Sequence, residues 1–366
     1  MKTKQNWEET RERFAAWWRG QKTDRPLINV WVKRETPLKN PHNPLPFSGT
    51  KDKYLNTKNI IAHTFHRLCA YEPLGEAFPS ISLNLGAGSM ALYLGCQAQF
   101  SGDSLWFHEK DVDYSDPSFA LFDPSNHWYR THLDMYRQAK EAVLGTDILL
   151  CIPDLVESLD ILASIRSNMK LCVDFYDNPD QVKEACGQID GYYKTIFDAF
   201  NEYCIDEHGG NAYTAFEIWG MGRTAKVQCD LAALLSPETF LEFEVPHLDE
   251  QCKWLDNSIF HLDGPECICH VPALMGIKEL NALQWTPGYT NPHGGEECWD
   301  DLYTKVKGAN KGLWVSLGDY TPDVAVAKAE RLVRKFGAGG FYFLFPDMTK
   351  KDAETLLIKA EKEWKN

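Results

Sequence analysis

Eight short apolar runs recur along the chain, and most are followed by turn residues and then by a stretch of helical period. Strands that alternate with helices pair in parallel, because each helix carries the chain back to the end of the sheet where it began. The expected strands are residues 27–32 (LINVWV), 80–85 (SISLNL), 147–152 (DILLCI), 214–219 (TAFEIW), 258–262 (SIFHL), 280–285 (LNALQW), 312–317 (GLWVSL) and 340–345 (GFYFLF). Eight is the number that closes a barrel, so the expected fold is α/β, a (β/α)8 TIM barrel formed by residues 1–366 as one unit. Residues 1–25 are expected as an N-terminal helical extension. Helices are expected at 180–202, 236–255, 299–308 and 321–336. Ser236-Pro237 and Thr321-Pro322 read as starts, since each supplies a capping oxygen followed by a proline preset for the first turn. Residues 94–126 show no clear period and read as an excursion over the barrel mouth.

Charge and composition narrow the partners. With 52 acidic and 38 basic residues the formal charge is −14, which opposes general attraction to nucleic acid or anionic lipid. No apolar run approaches the roughly 20 residues of a membrane span, and MKTKQNWEETRERF lacks the apolar centre of a secretory signal. A cytoplasmic protein is therefore expected. The eleven cysteines are scattered through apolar segments and form no disulfide framework. A homodimer is a further expectation, although no sequence feature marks its interface.

In a barrel of this kind the chemistry sits on loops leaving the carboxyl ends of the strands. There the sequence offers Trp31, Asn84, Asp154, Glu217, Trp219, His261, Asp263, Gln284, Trp285, Asp319 and Asp347. The segment 260–265, FHLDGP, is the sharpest local feature, because His261 and Asp263 are two apart and share one face of a strand. Three uses stay open: a metal-binding pair, a general base steadied by its acid, or a structural hydrogen bond. Trp31, Trp219 and Trp285 suggest an aromatic pocket for a planar ring, a sugar face or a quaternary ammonium, or else they cap the core. Asn84, Gln284 and Asp319 are expected to join them in holding substrate, with Glu217 and Asp154 as the catalytic proton carriers. Cys267-Ile268-Cys269-His270 and the glycines of LNLGAGS carry no comparable signal: the first falls where neighbouring side chains diverge, and the second lacks a phosphate-binding lysine.

Several stretches, RPLINVWV, AFPSISLNLGAGSMALYLG, PDLVESLDILASIR, SPETFLEFEVPHL, FHLDGP, LNALQWTPG and GGFYFLFPD, resemble the uroporphyrinogen decarboxylase-like superfamily. True decarboxylases of that family carry an arginine-rich segment after the first strand, whereas this chain reads VWVKRETPLKN with only Lys33 and Arg34 nearby. The resemblance is thus to the branch of zinc-dependent methyltransferases that work with a corrinoid carrier protein. Those enzymes present His-x-Cys on the fifth strand and a further Cys after the last. Here the resemblance puts Asp263 and Asp347 in the thiolate positions beside His261, so that His261, Asp263 and Asp347 would hold the metal, with zinc the expected ion. Oxygen donors make a harder site than thiolates, which favours a methyl donor that is an O- or N-methylated small molecule over a thiol. Corrinoid would come from a partner protein. Two other functions stay open: a decarboxylase or lyase acting on a small carboxylic acid, and a non-catalytic binding barrel.

Overall fold

A computed structural model describes residues 2–365. Its strands are β1 (Leu27–Lys33), β2 (Tyr71–Gly75), β3 (Ser80–Ile81), β4 (Gln97–Ser101), β5 (Ser104–His108), β6 (Leu149–Leu150), β7 (Gly210–Tyr213), β8 (Ile218–Met221), β9 (Thr224–Gln228), β10 (Asn257–Asp263), β11 (Ala282–Thr286), β12 (Gly312–Ser316) and β13 (Phe341–Leu344). Seven of them make one sheet in the order β2-β1-β13-β12-β11-β10-β9. Every pairing in it is parallel except the antiparallel edge strand β2. β3 and β6 form a separate parallel pair, and Cys151 bridges in parallel to Ala212. The architecture is α/β, with helices between successive parallel strands. Among the described residues no helix is long and apolar enough to cross a membrane.

Strand interiors β1 and β10 to β13 are buried on both faces, as parallel sheets flanked by helices require. The expected 27–32, 258–262, 280–285, 312–317 and 340–345 all appear within two residues at each end. Three expectations need correction. Residues 80–85 and 147–152 form strands of only two residues each, the second extended by the Cys151 bridge, because the chain leaves the ladder for loops. Residues 214–219 are not one strand: β7 ends at Tyr213, a turn follows over 214–217, and Ile218 and Trp219 open β8, which returns antiparallel. The strand that carries the sheet onward is β9, TAKVQ, whose Lys226 and Gln228 break the apolar pattern of a strand. Residues 94–126 include the β4–β5 hairpin.

The N-terminal helix Trp7–Trp18 packs Phe14, Trp17 and Trp18 into one apolar cluster with Leu27, Ile259, Ala282, Trp314 and Tyr342 from the sheet. Trp17 Nε1 donates to the Gly340 carbonyl at 2.8 Å. The 180–202 helix is observed as Pro179–Cys204 and the 321–336 helix as Pro322–Phe336. Ser236 caps its helix through Thr239 N at 3.2 Å, whereas the Thr321 side chain makes no cap bond. The 236–255 segment is two helices, Pro237–Phe243 and Val245–Trp254, broken where Pro246 removes a donor.

Candidate metal centre

Parity along two neighbouring strands builds the site. On β9, Thr224, Lys226 and Gln228 share a face, and Asp230 follows two residues beyond. On β10, Ile259, His261 and Asp263 share the matching face, with His261 registered against Gln228. Asp230, His261 and Asp263 each offer a ligand atom, and these atoms lie within 4.8 Å of one another. Rotation of the two carboxylate side chains brings such a set onto one ion at bonds of about 2.0–2.2 Å.

The histidine is prepared for that use. Gln284, registered against His261 on β11, turns its amide so that Nε2 donates to Thr286 Oγ1 at 2.8 Å. Its Oε1 therefore faces His261 Nδ1 as an acceptor, which places the imidazole proton on Nδ1 and leaves the Nε2 lone pair free. Burial, reinforced by the Lys226 charge, pushes His261 below the usual imidazole range and keeps it neutral. Asp230 is exposed by area, yet protein surrounds its carboxylate on the inner side. That desolvation, with Asp160 adding repulsion, raises it to about 6.

A buried support lies behind the cluster. Asp160 accepts from Gln228 Nε2 at 3.0 Å, Asp230 N at 2.8 Å and Leu231 N at 3.0 Å. Glu157 accepts from Gln228 N at 2.6 Å and Gln251 Nε2 at 3.1 Å. Burial pushes the Glu157 carboxyl well above the ordinary range. Lys226 is buried, pairs with Asp154 Oδ1 at 2.6 Å, and also bonds Gln228 Oε1. The expected proton carrier Asp154 is thus committed to the Lys226 ammonium.

Glu217 stands on a second shelf. The turn between β7 and β8 holds it at φ 47°, a left-handed conformation that costs a non-glycine residue roughly 1 kcal/mol or more. Trp31 Nε1 donates to it at 3.0 Å and Asn29 Nδ2 at 2.8 Å, and its own carbonyl accepts from Tyr342 Oη at 2.6 Å. Burial raises its carboxyl against the pull of these donors. Phe216, its neighbour, lies 5.4 Å from the His261 ring, so the two shelves are separated by one aromatic side chain.

The remaining expected residues divide. Asp347 is not with His261; it lies in the field of Arg67 and near Glu217, because β13 is three strands away from β10 in the sheet. Asp230 is the carboxylate that meets His261 and Asp263. Trp219 is buried on β8 against the N-terminal helix, its Nε1 held by Asp206 Oδ2 at 2.9 Å and its carbonyl by Trp18 Nε1. Trp285 is buried against Trp299, ring centroids 4.9 Å apart, since its odd position on β11 faces away from Gln284. One face of Trp31 is covered by the Arg67 guanidinium at 4.8 Å. Asn84 is exposed, and Asp319 is exposed with His293 Nδ1 3.6 Å away. The three tryptophans do not form one pocket.

A groove of about 880 Å³ runs from the surface to the cluster, floored by Asp160, Gln228 and Asp230 and walled by β5 and the residues around Ser167. Asp230 is the ligand-set member that borders it. One imidazole and two carboxylates suit zinc or a similar borderline cation, and the Gln284 bond is the outer support that metal-binding histidines use.

No family model matches this chain, and no curated protein matches it. Among solved structures, the fold is similar to that of a methyltransferase from Methanosarcina mazei, with a TM-score of 0.59 at 12% sequence identity over 97% of this chain and 98% of that one. The two proteins share an overall fold from end to end.

Proposed function

We propose that this chain is a metal-dependent methyltransferase, moving a methyl group from an O- or N-methylated small molecule to a corrinoid held by a partner protein. In this reading its sheets are the wall of a (β/α)8 barrel, of the methyltransferase branch of the uroporphyrinogen decarboxylase-like superfamily. The observation that carries it is the meeting of Asp230, His261 and Asp263 at the carboxyl ends of adjacent parallel strands, in a fold shared with a methyltransferase. Zinc in that set would supply Lewis acidity at the heteroatom that gives up the methyl group.

The chain's own residues do the rest. Gln284 fixes the His261 tautomer, and Asp160 holds Asp230 and Gln228 in place. Burial, reinforced by Lys226 where it pairs with Asp154, keeps His261 unprotonated. Glu217, desolvated yet anchored by Trp31 and Asn29, holds or accepts a proton at its carboxylate on the far side of Phe216.

The test begins with metal analysis of protein expressed with added zinc. About one zinc per chain is expected, with none in His261→Ala of unchanged circular dichroism. Methylation of cob(I)alamin by a panel of methyl ethers and methylamines should then depend on His261. Wild-type protein that takes up no stoichiometric metal would sink the proposal, as would carbon dioxide release from a small acid without any methyl transfer.

A further inference from the structure

The groove that ends on Asp230 has a consistent chemistry along its length. No lysine or arginine is among its described lining residues. Glu109, at its rim, is already neutralised by Lys170 at 3.0 Å, so the field inside comes from the deep end. There the four carboxylates Asp154, Asp160, Asp230 and Asp263 share the one nearby cation Lys226, which pairs with Asp154 and also acts on Asp230, so three negative charges stay in surplus. A divalent ion on the ligand set removes two of those three charges and leaves the floor negative. The wall adds an aromatic surface. Trp106 and Phe107 line the groove, and Trp106 is 60% exposed, although it stands on a paired strand of a hairpin.

We infer that this groove seats a small molecule carrying a quaternary methylated ammonium head, held between the Trp106 ring and the negative floor at Asp160 and Asp230. The choice of a methylated head rests on the methyl-transfer reading, whereas the choice of charge rests on the groove. A quaternary methylated nitrogen spreads its charge over its methyl surface and has no N–H to donate. It is therefore recognised by aromatic faces and by a field rather than by discrete acceptors. The same floor repels carboxylated ligands, because bringing an anion beside carboxylates in a partly desolvated groove is unfavourable. The tryptophans at strand ends do not serve this purpose: Trp219 and Trp285 are buried elsewhere, and Arg67 covers one face of Trp31.

Calorimetry on the zinc-loaded full chain at pH 7.5 separates the alternatives with three probes. Choline carries the head, 3,3-dimethyl-1-butanol has the same shape without charge, and 4-methoxybenzoate is a methylated anion. Choline is expected to bind about tenfold or more tightly than its neutral isostere, less tightly as sodium chloride is raised, and without competition from 4-methoxybenzoate. Trp106→Ala should weaken choline by about tenfold while Trp106→Phe restores most of it, with zinc content unchanged in both. Choline no tighter than 3,3-dimethyl-1-butanol, or displacement by 4-methoxybenzoate, overturns the inference. Zinc content and cob(I)alamin methylation are read separately, so the charge preference can fail with the methyl-transfer reading intact, and the reverse.

Discussion

A histidine binds a cation only through a nitrogen whose lone pair is free, and in this protein one amide decides which nitrogen that is. Gln284→Leu removes the acceptor from His261 Nδ1 while keeping the side chain's bulk, and zinc affinity should fall by about 10–100-fold. Competition titration with a chromophoric chelator measures it, and an unchanged affinity would mean that the tautomer is set elsewhere. Asp230 and Asp347 give a second, sharper comparison. Asp230→Asn should abolish or greatly weaken zinc binding, whereas Asp347→Asn should leave stoichiometry at the wild-type level, because Asp347 answers to Arg67 rather than to His261. Metal analysis of both variants decides between the pair, and loss of zinc in the Asp347 variant alone would restore the ligand set that the family resemblance implies. The parity of TAKVQCD could have revealed Asp230, since Lys226, Gln228 and Asp230 alternate. The apolar TAFEIW, which reads as the strand, hides that parity.

At the level of elements, the helix His127–Val143 is bound to the loop after β3 through a buried imidazole. His132 Nδ1 meets Tyr93 Oη at 2.5 Å, and its Nε2 meets the Leu83 carbonyl at 3.1 Å. Burial lowers His132 to about 4. Between the unfolded value near 6.5 and that folded value the unfolded chain binds the extra proton, so stability falls as pH drops through this window. The full effect is roughly 3 kcal/mol. Urea denaturation at several pH values between 7 and 4 should show His132→Gln, which takes no proton, losing less stability than wild type; parallel curves would contradict this. The β7–β8 turn makes the other case for tertiary control. Its left-handed Glu217 is kept there by bonds from β1 and β13, elements nearly 200 residues earlier and over 100 later in the chain.

For the whole molecule, the N-terminal helix acts as a floor. Trp17 is buried, bonds Gly340 and sits so close to Gly312 that a β-carbon there would lie 2.8 Å from its ring. Trp17→Ala should cost about 3–5 kcal/mol, read as a lower denaturation midpoint, while zinc content of the folded fraction stays unchanged because the cluster lies at the opposite ends of the strands. A variant as stable as wild type would show that the extension is dispensable.

What was legible beforehand is what depends on near neighbours in the chain. Apolar period located five of the sheet's strands, and the two-residue repeat put His261 and Asp263 on one face, since side-chain direction in a strand follows from local geometry alone. Which third group meets them could not be read that way. It depends on strand order and register, and these are set by packing between segments far apart in the chain: β9 lies beside β10, β13 does not, and so Asp230 joins the imidazole while Asp347 does not. The same holds for Lys226, whose charge is tolerable in the interior only because folding brings Asp154 to within 2.6 Å of it.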